Sequence, residues 1–275
     1  MPELPEVETT RLGLLPAIKG RRIQNIIVRD RRLRWPIPDD LSALAAGRRV
    51  LDMTRRGKYL LWDVESARGG GFLLCHLGMS GSLFMAGREV APAKHDHVDI
   101  VFNQQTIVRY HDPRRFGAIL WIPGAAADHP LLDKLGPEPL GPTFDGAHLF
   151  ARSRGRAISV KEFIMDAHIV VGVGNIYASE ALFSAGIRPT NPAGRVSAAR
   201  YERLAGAIKQ TLTRAIAAGG SSLRDYVKAD GGPGYFQLAA NVYGRAGAPC
   251  AVCQRPILAI VQGQRRSFYC PRCQT

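Results

Sequence analysis

Four cysteines toward the C-terminal end of the chain carry the clearest chemical signal. Cys250, Cys253, Cys270 and Cys273 form C-x2-C-x16-C-x2-C. Each C-x-x-C knuckle lets two thiolates face one ion, and two knuckles complete a closed tetrahedral zinc site. Four thiolates leave no open position for a substrate, so the zinc is expected to be structural. The alternative, a pair of disulfides, ranks far lower because the acidic N-terminus does not look like an export signal. Between the knuckles, RPILAIVQGQRRSFYC reads as a β-hairpin carrying Arg265 and Arg266. The fifth cysteine, Cys75, lies alone in an apolar strand-like segment and reads as a core thiol.

The second signal is the opening, MPELPEVETTR. Proline and acids are favoured at a helix start, where N–H groups lack partners and the dipole is positive. That accounts for Pro5 and Glu8. It does not account for Pro2 directly behind Met1, ringed by Glu3 and Glu6 in a strongly basic chain. A third stretch, VVGVGNIYASE over 170–180, begins like a dinucleotide-binding turn. Gly172 and Gly174 fit, but Tyr177 stands where the third glycine belongs and the surroundings are helical. A nucleotide cofactor is therefore rejected. The two glycines and Asn175 suit a tight helix-to-helix turn whose amides face a phosphate, or a plain connector.

The first half adds basic and aromatic pieces. Lys58 stands at the mouth of a strand in RRGKYLL, and Met79 sits in the turn HLGMSGSL. Arg114, Arg115 and Phe116 share a turn in DPRRFGA. Apolar side chains at loop tips can wedge into a base stack. For Met79 and Phe116 taken singly, core packing is the stronger alternative. His95 and His97 in KHDHVD share a strand face but have no third ligand nearby, so polar or phosphate contacts are favoured over a metal.

These pieces need elements to hold them. The 275 residues suffice for one large domain or two ordinary ones, with 46% apolar and 22% charged residues. Lys and Arg number 37 against 23 acids, a net charge of +14 and a pI near 10.1. Such an excess points to a polyanion, nucleic acid before an anionic membrane surface. No apolar run approaches the ~18 residues of a membrane span. Leu4, Val7, Arg11, Leu14, Leu15 and Ile18 predict a helix over 4–18. RIQNIIVRD, RRVLDM, KYLLWDV, GFLLCHLGM, HVDIVFN and TIVRYHD predict strands, the last two as a hairpin, in a sandwich or barrel-like sheet. Beyond LGPEPLGP the chain turns helical: KEFIMDAHIV, NIYASEALFSAG and, most strongly, SAARYERLAGAIKQTLTRAIAAGG, capped by Ser197 and stopped at Gly219 and Gly220.

Taken in order, MPELPEVET, HLGMSGSL, KHDHVD, DPRRFGA, LGPEPL, GVGNIYASEALF, DGGPGYF, VYGRAGAPC and the closing FYCPRCQ resemble bacterial formamidopyrimidine-DNA glycosylases along essentially the whole chain. The resemblance implies an α+β protein of two domains: an N-terminal β-sandwich with a leading catalytic helix, then a helix–two-turn–helix domain with a four-cysteine zinc finger. The boundaries implied are 2–134 for the sandwich domain, 135–142 for a hinge, 143–246 for the helical domain and 247–275 for the finger.

It also implies roles. With Met1 removed, Pro2 presents a secondary amine that attacks the sugar of a damaged nucleotide and forms a Schiff base. Glu3 protonates the deoxyribose ring oxygen, and Glu6 positions water or supports the site. Lys58 and Arg265 complete the catalytic set. Met79, Arg114 and Phe116 fill the void that the base leaves, Arg114 pairing with the orphaned cytosine, and Arg115 is a further DNA-binding residue. His95, Lys161, Asn175 and Arg265 hold phosphates. The loops SSLRDY (221–226) and DGGPGYF (230–236) would cap the lesion, with no contact assigned to Gly232. The implied activity is excision of 8-oxoguanine and formamidopyrimidines followed by β,δ-elimination. One structural zinc, no nucleotide cofactor, damaged duplex DNA as partner, a monomeric state and a cytoplasmic, nucleoid-associated location go with it. An endonuclease VIII-like enzyme acting on oxidised pyrimidines is the nearest alternative. A catalytically silent DNA binder is the other.

Overall fold

A computed structural model describes residues 2–65, 71–87, 89–103, 106–220 and 240–275. The leading helix α1 (Leu4–Ile18) begins on a reciprocal pair of hydrogen bonds. The Glu3 side chain accepts from the Glu6 backbone N–H, and Glu6 Oε2 accepts from the Glu3 backbone N–H at 2.8 Å. Two donors that a helix start leaves without partners are thereby satisfied. Leu4, Val7, Leu14 and Ile18 are buried along one stripe.

Eight strands follow among the described residues: β1 (Asn25–Val28), β2 (Val50–Arg56), β3 (Tyr59–Val64), β4 (Gly71–His76), β5 (Ser82–Ala86), β6 (Asp96–Val101), β7 (Ile107–His111) and β8 (Ala118–Pro123). A short helix α2 (Leu41–Ala45) separates β1 from β2. The strands form two antiparallel sheets, ordered β2-β3-β4-β8 and β1-β6-β7-β5. Met53, Leu60, Trp62, Leu73, Cys75 and Ile119 of the first pack with Ile26, Leu83, Val98, Ile100, Val108 and Tyr110 of the second in one core. Each such side chain contributes about 1.5–3 kcal/mol when fully buried. α1 packs on β2 and β3 of one sheet and β5 of the other. The expected sandwich is present, and Cys75 is a core thiol. Two strands carried no separate signal. β5 starts directly after the turn in HLGMSGSL, and β8 follows the turn in DPRRFGA.

The helical part comprises α3 (Gly146–Ser153), α4 (Val160–Met165), α5 (Asn175–Ser184) and α6 (Ala198–Ala217), then the hairpin β9 (Leu258–Gln262) and β10 (Arg265–Tyr269). Tyr201, Leu204, Ile208 and Leu212 are buried along α6 as the spacing predicts. Ser197 stands at the N-cap of α6 but makes no side-chain capping bond. KEFIMDAHIV does not continue as one helix. The Asp166 carboxylate accepts from the His168 N–H at 2.9 Å, and this local turn ends α4 at Met165. Among the described residues the contacts divide into two compact units, 2–133 with 219–220, and 134–218 with 240–275.

In the second unit Glu180 of α5 is a buried anchor. Its carboxylate accepts from the backbone N–H groups of Asn241, Val242 and Tyr243 and from Asn241 Nδ2, at 2.8–3.0 Å. Glu180→Gln turns an amide toward some of these donors. It is expected to lower unfolding free energy by about 2–3 kcal/mol, read from the urea midpoint.

Candidate functional site

Pro2 is buried at the start of α1. Glu3 and Glu6 are each 1% exposed, so two carboxylates are withdrawn from water within one turn of it. Gly220 lies against Glu6: a Cβ there would fall 3.4 Å from Glu6 Cα. Met1 and the loops at 221–226 and 230–236 lie outside the described residues. Glu8, the third acid of the opening, is used differently. It accepts from Arg11 at 2.6 and 3.0 Å and from Arg55 of β2 at 2.9 Å. Burial pushes its carboxyl up, but the two guanidiniums outweigh that and hold it below the ordinary value. Arg11 also donates to the Met53 carbonyl at 3.2 Å, so these pairs pin α1 to β2.

Lys58 occupies the tip of the β2–β3 hairpin. Arg56 and Tyr59 are paired, leaving Gly57 and Lys58 as a two-residue loop. Gly57 takes φ +58°, which the first position of a type II′ turn requires. Nearby His76 was not singled out from sequence. Burial, and then the positive charges of Lys58 and Arg34, push its pKa down to about 4 against the pull of Asp112. Its Nδ1 accepts from the Gly78 N–H at 3.1 Å.

Met79 and Phe116 are 40% and 41% exposed, so neither is the core residue that packing arguments favoured. The Arg114 guanidinium lies over the Phe116 ring, 4.8 Å from its centroid. Arg115, with φ +58°, is turned to Asp30 and makes an ion pair at 2.5 Å. His95 lies just before β6, edge-on to the rings of His97 and His111 at 6.4 and 5.9 Å. The β6–β7 hairpin below these residues is locked by Arg109, which donates to both oxygens of Asp99 at 2.8 and 3.0 Å. Asp112, at the end of that hairpin, is fully buried and was also not singled out. Its signal was present in the motif: Asp before Pro opens a turn whose N–H groups its own side chain can accept.

In the second unit Asn175 begins α5 behind Gly174. Its Oδ1 accepts from Lys161 Nζ at 2.6 Å, and its Nδ2 donates to the Arg266 carbonyl at 3.2 Å. Lys161 is 1% exposed and also donates to Ser267 Oγ at 2.7 Å and the Arg266 carbonyl at 3.2 Å. Its ammonium therefore joins α4, α5 and β10. Arg265 is exposed at the start of β10, beside a turn in which Gly263 and Gln264 both have positive φ.

The four cysteine sulfurs lie within 4.8 Å of one another. Cys250 and Cys273 are 3.9 Å apart, and Cys253 and Cys270 are 3.4 Å apart. Tetrahedral Zn–S bonds of about 2.3 Å set sulfurs roughly 3.8 Å apart, so the donors fit zinc. The N–H groups of Val252 and Cys273 point at the sulfurs of Cys250 and Cys270. Around them Val242, Ile257 and Phe268 form a small core with Phe183 and Tyr243 packed on it.

Comparison with known proteins gives one result along the chain. Residues 1–119 match the formamidopyrimidine-DNA glycosylase N-terminal domain and 135–227 the formamidopyrimidine-DNA glycosylase H2TH domain. Residues 247–275 match the zinc finger found in FPG and IleRS. A formamidopyrimidine-DNA glycosylase of Methylococcus capsulatus is 55% identical over 274 residues, and one of Burkholderia thailandensis 56% identical over 280, each covering both chains fully. The crystal structure of the MutM (Fpg) protein from Thermus thermophilus aligns with TM-score 0.87 at 40% identity, over 99% of this chain and 98% of that one. Lactococcus lactis Fpg in complex with DNA containing an abasic site aligns with TM-score 0.89 at 31% identity, over 99% of both chains.

Two outcomes are expected. Elemental analysis should give one zinc per chain, and Cys253→Ser should lose it and open 248–275 to limited proteolysis. His76 should remain neutral until pH falls to about 4. Its folded value lies below the unfolded value of about 6.5, so its contribution to stability is full above pH ~6.5 and is lost as pH falls toward 4. Urea midpoints across that window should fall less in His76→Gln than in the parent.

Proposed function

The chain belongs to the formamidopyrimidine-DNA glycosylase family, and from that membership we propose that it excises oxidised purines from duplex DNA and then cuts the strand at the vacated sugar. One observation carries the chemistry: two buried carboxylates, Glu3 and Glu6, bracket the start of α1 directly behind Pro2.

Cleavage of Met1 frees the Pro2 secondary amine, and an α-amino pKa of about 7.7–8.0 leaves part of it neutral near pH 7. Its lone pair forms a bond to C1′ of the extruded nucleotide. The glycosidic bond breaks, and the base leaves with a proton. Glu3 protonates the ring oxygen, the sugar opens, and an iminium links Pro2 to the strand. Loss of the C2′ proton expels the 3′ phosphate. A second elimination expels the 5′ phosphate, and hydrolysis of the iminium restores the amine. Glu6 holds the Glu3 backbone N–H and so sets the angle at which the chain end enters the site.

Extruding a base leaves a gap in the stack. Met79, Phe116 and Arg114, exposed on neighbouring turns, suit that gap, with Arg114 reading the unpaired cytosine. Lys58, His95, Asn175 and Arg265 are assigned to phosphates. Arg115 and Lys161 belong in our reading to the framework, because Asp30 and the Asn175–Ser267 acceptors engage their charges. Cys250, Cys253, Cys270 and Cys273 would hold one zinc that steadies the β9–β10 hairpin, and with all four donors taken by thiolates its role would be structural. We further assign a monomeric state, residues 135–142 as hinge and a location in the cytoplasm at the nucleoid. No described helix is long and apolar enough to cross a membrane.

Borohydride trapping tests this reading. A covalent adduct mapping to Pro2 is expected, strongest on a duplex with 8-oxoguanine opposite cytosine and weaker with adenine opposite. An adduct favouring dihydrouracil would identify a pyrimidine enzyme. Absence of any adduct in protein shown by mass to lack Met1 would identify a DNA binder without the chemistry.

A further inference from the structure

The turns that carry Met79 and the Arg114–Phe116 pair come from distant parts of the sequence, yet they touch backbone to backbone. The first closes through Gly81 N–H to the Leu77 carbonyl at 2.8 Å, the second through Arg115 N–H to the Asp112 carbonyl at 3.3 Å. A Cβ on Gly78 would lie 2.5 Å from the Phe116 carbonyl carbon and 2.6 Å from the Gly117 nitrogen. A Cβ on Gly117 would overlap the Tyr110 hydroxyl and the His76 carbonyl. No side chain fits between the two loops.

One carboxylate joins them. Asp112 Oδ1 accepts from Ser80 Oγ at 3.1 Å, next to Met79, and from the Arg114 N–H at 3.3 Å. Asp112 Oδ2 accepts from the Gly117 N–H at 2.9 Å and lies 3.2 Å from the Tyr110 hydroxyl, whose proton it shares with the His76 carbonyl. The Asp112 backbone is fixed as well: its carbonyl accepts from His97 Nε2 at 2.8 Å and its N–H donates to the His95 carbonyl at 3.0 Å. A carboxylate offers about four acceptor sites, and here four neutral donors surround them. The residue is fully buried with no cation in an ion pair with it among the described residues. An unpaired buried charge is costly, and a simple β-turn would not require one.

We propose that Asp112 is a positioning residue that fuses the Met79 turn and the Arg114–Phe116 turn into one rigid body, so that filling the gap and reading the opposite base are a single event. This rests on the assignment of those three side chains to the gap. Asp112 itself touches no DNA. It acts by keeping the apolar wedge and the base-reading arginine at a fixed separation. If the turns moved independently, the wedge could enter opposite any base, and excision would lose its dependence on the partner.

Asp112→Asn keeps the size and replaces one acceptor oxygen by a donor. Three measurements distinguish the outcomes: single-turnover excision of 8-oxoguanine opposite cytosine, the same opposite adenine, and cleavage of a single-stranded abasic oligonucleotide, where there is no stack to fill and no base to read. The variant is expected to excise opposite cytosine about 10- to 100-fold more slowly, the loss typical of a small misplacement. The cytosine-to-adenine rate ratio should fall toward unity, while abasic cleavage and its Pro2 adduct stay within about 3-fold, under 1 kcal/mol. Ser80→Ala, which removes one donor and leaves the carboxylate, should shift the ratio the same way by less, and it decides the matter if Asp112→Asn does not fold. An unchanged ratio in Ser80→Ala and Asp112→Asn, or an equal loss in all three measurements, overturns the proposal. Failure of the parent protein itself to form the Pro2 adduct would instead overturn the enzymatic reading.

Discussion

The reciprocal hydrogen bonds between Glu3 and Glu6 are the constraint on which the rest of the first unit depends. Chain ends are ordinarily the loosest part of a protein. Here the residue assigned to covalent chemistry sits at such an end, and it is useful only if held in one place. The capping box fixes the entry of the chain into α1, burial of Leu4 and Val7 fixes the first turn, and Glu8 with Arg11 and Arg55 fixes the helix to β2. The sandwich behind α1 is thus a mount. Its two sheets give the helix a surface on both sides, and β2 leads directly to the hairpin tip that presents Lys58.

The same logic sorts the cations. A net charge of +14 does not distribute evenly between structural and ligand-facing roles. Arg55, Arg109 and Arg115 are held by Glu8, Asp99 and Asp30, and Lys161 donates to Asn175 Oδ1, Ser267 Oγ and the Arg266 carbonyl. Each of these joins elements separated in sequence. Arg114 and Arg265 are exposed and have no carboxylate partner among the described residues. A polyanion would supply what they lack, and its binding would be screened by salt. Cations engaged by protein acceptors hold the frame, and in the proposed reading the exposed ones meet the substrate.

Much of this was legible from the residue pattern, and the limits have physical causes. The metal site was readable because C-x-x-C spacing is local and nearly sufficient for a zinc knuckle. The 4–18 helix was readable from its apolar spacing and from the proline and acids at its start. β5 and β8 were not, because each is a short strand fused to a glycine-bearing turn, and the turn signal dominated. The end of α4 was misread because Asp166 offers its own side chain to the backbone, a choice that periodicity does not reveal. Met79 and Phe116 were ambiguous for a deeper reason. An apolar residue in a turn can face in or out, and only the contact between Gly78 and the Phe116 backbone settles the direction. Arg115 and Lys161 show the converse: sequence reports that a cation is present, and only tertiary structure reports what neutralises or surrounds it.

A structural and a functional account of the opening acids are often set against each other, since capping alone explains glutamates at a helix start. Their burial separates the two. A capping box gains its two hydrogen bonds equally well at a surface, where the remaining carboxylate oxygens stay hydrated. Withdrawing both Glu3 and Glu6 to 1% exposure adds a desolvation cost that helix initiation does not require. Glu8, one turn on, shows what the fold does with an acid that serves structure: it surrounds it with two arginines. Two carboxylates kept dry directly behind Pro2 are what the general-acid role proposed for Glu3 draws on: a donor beside the reacting sugar and shielded from water.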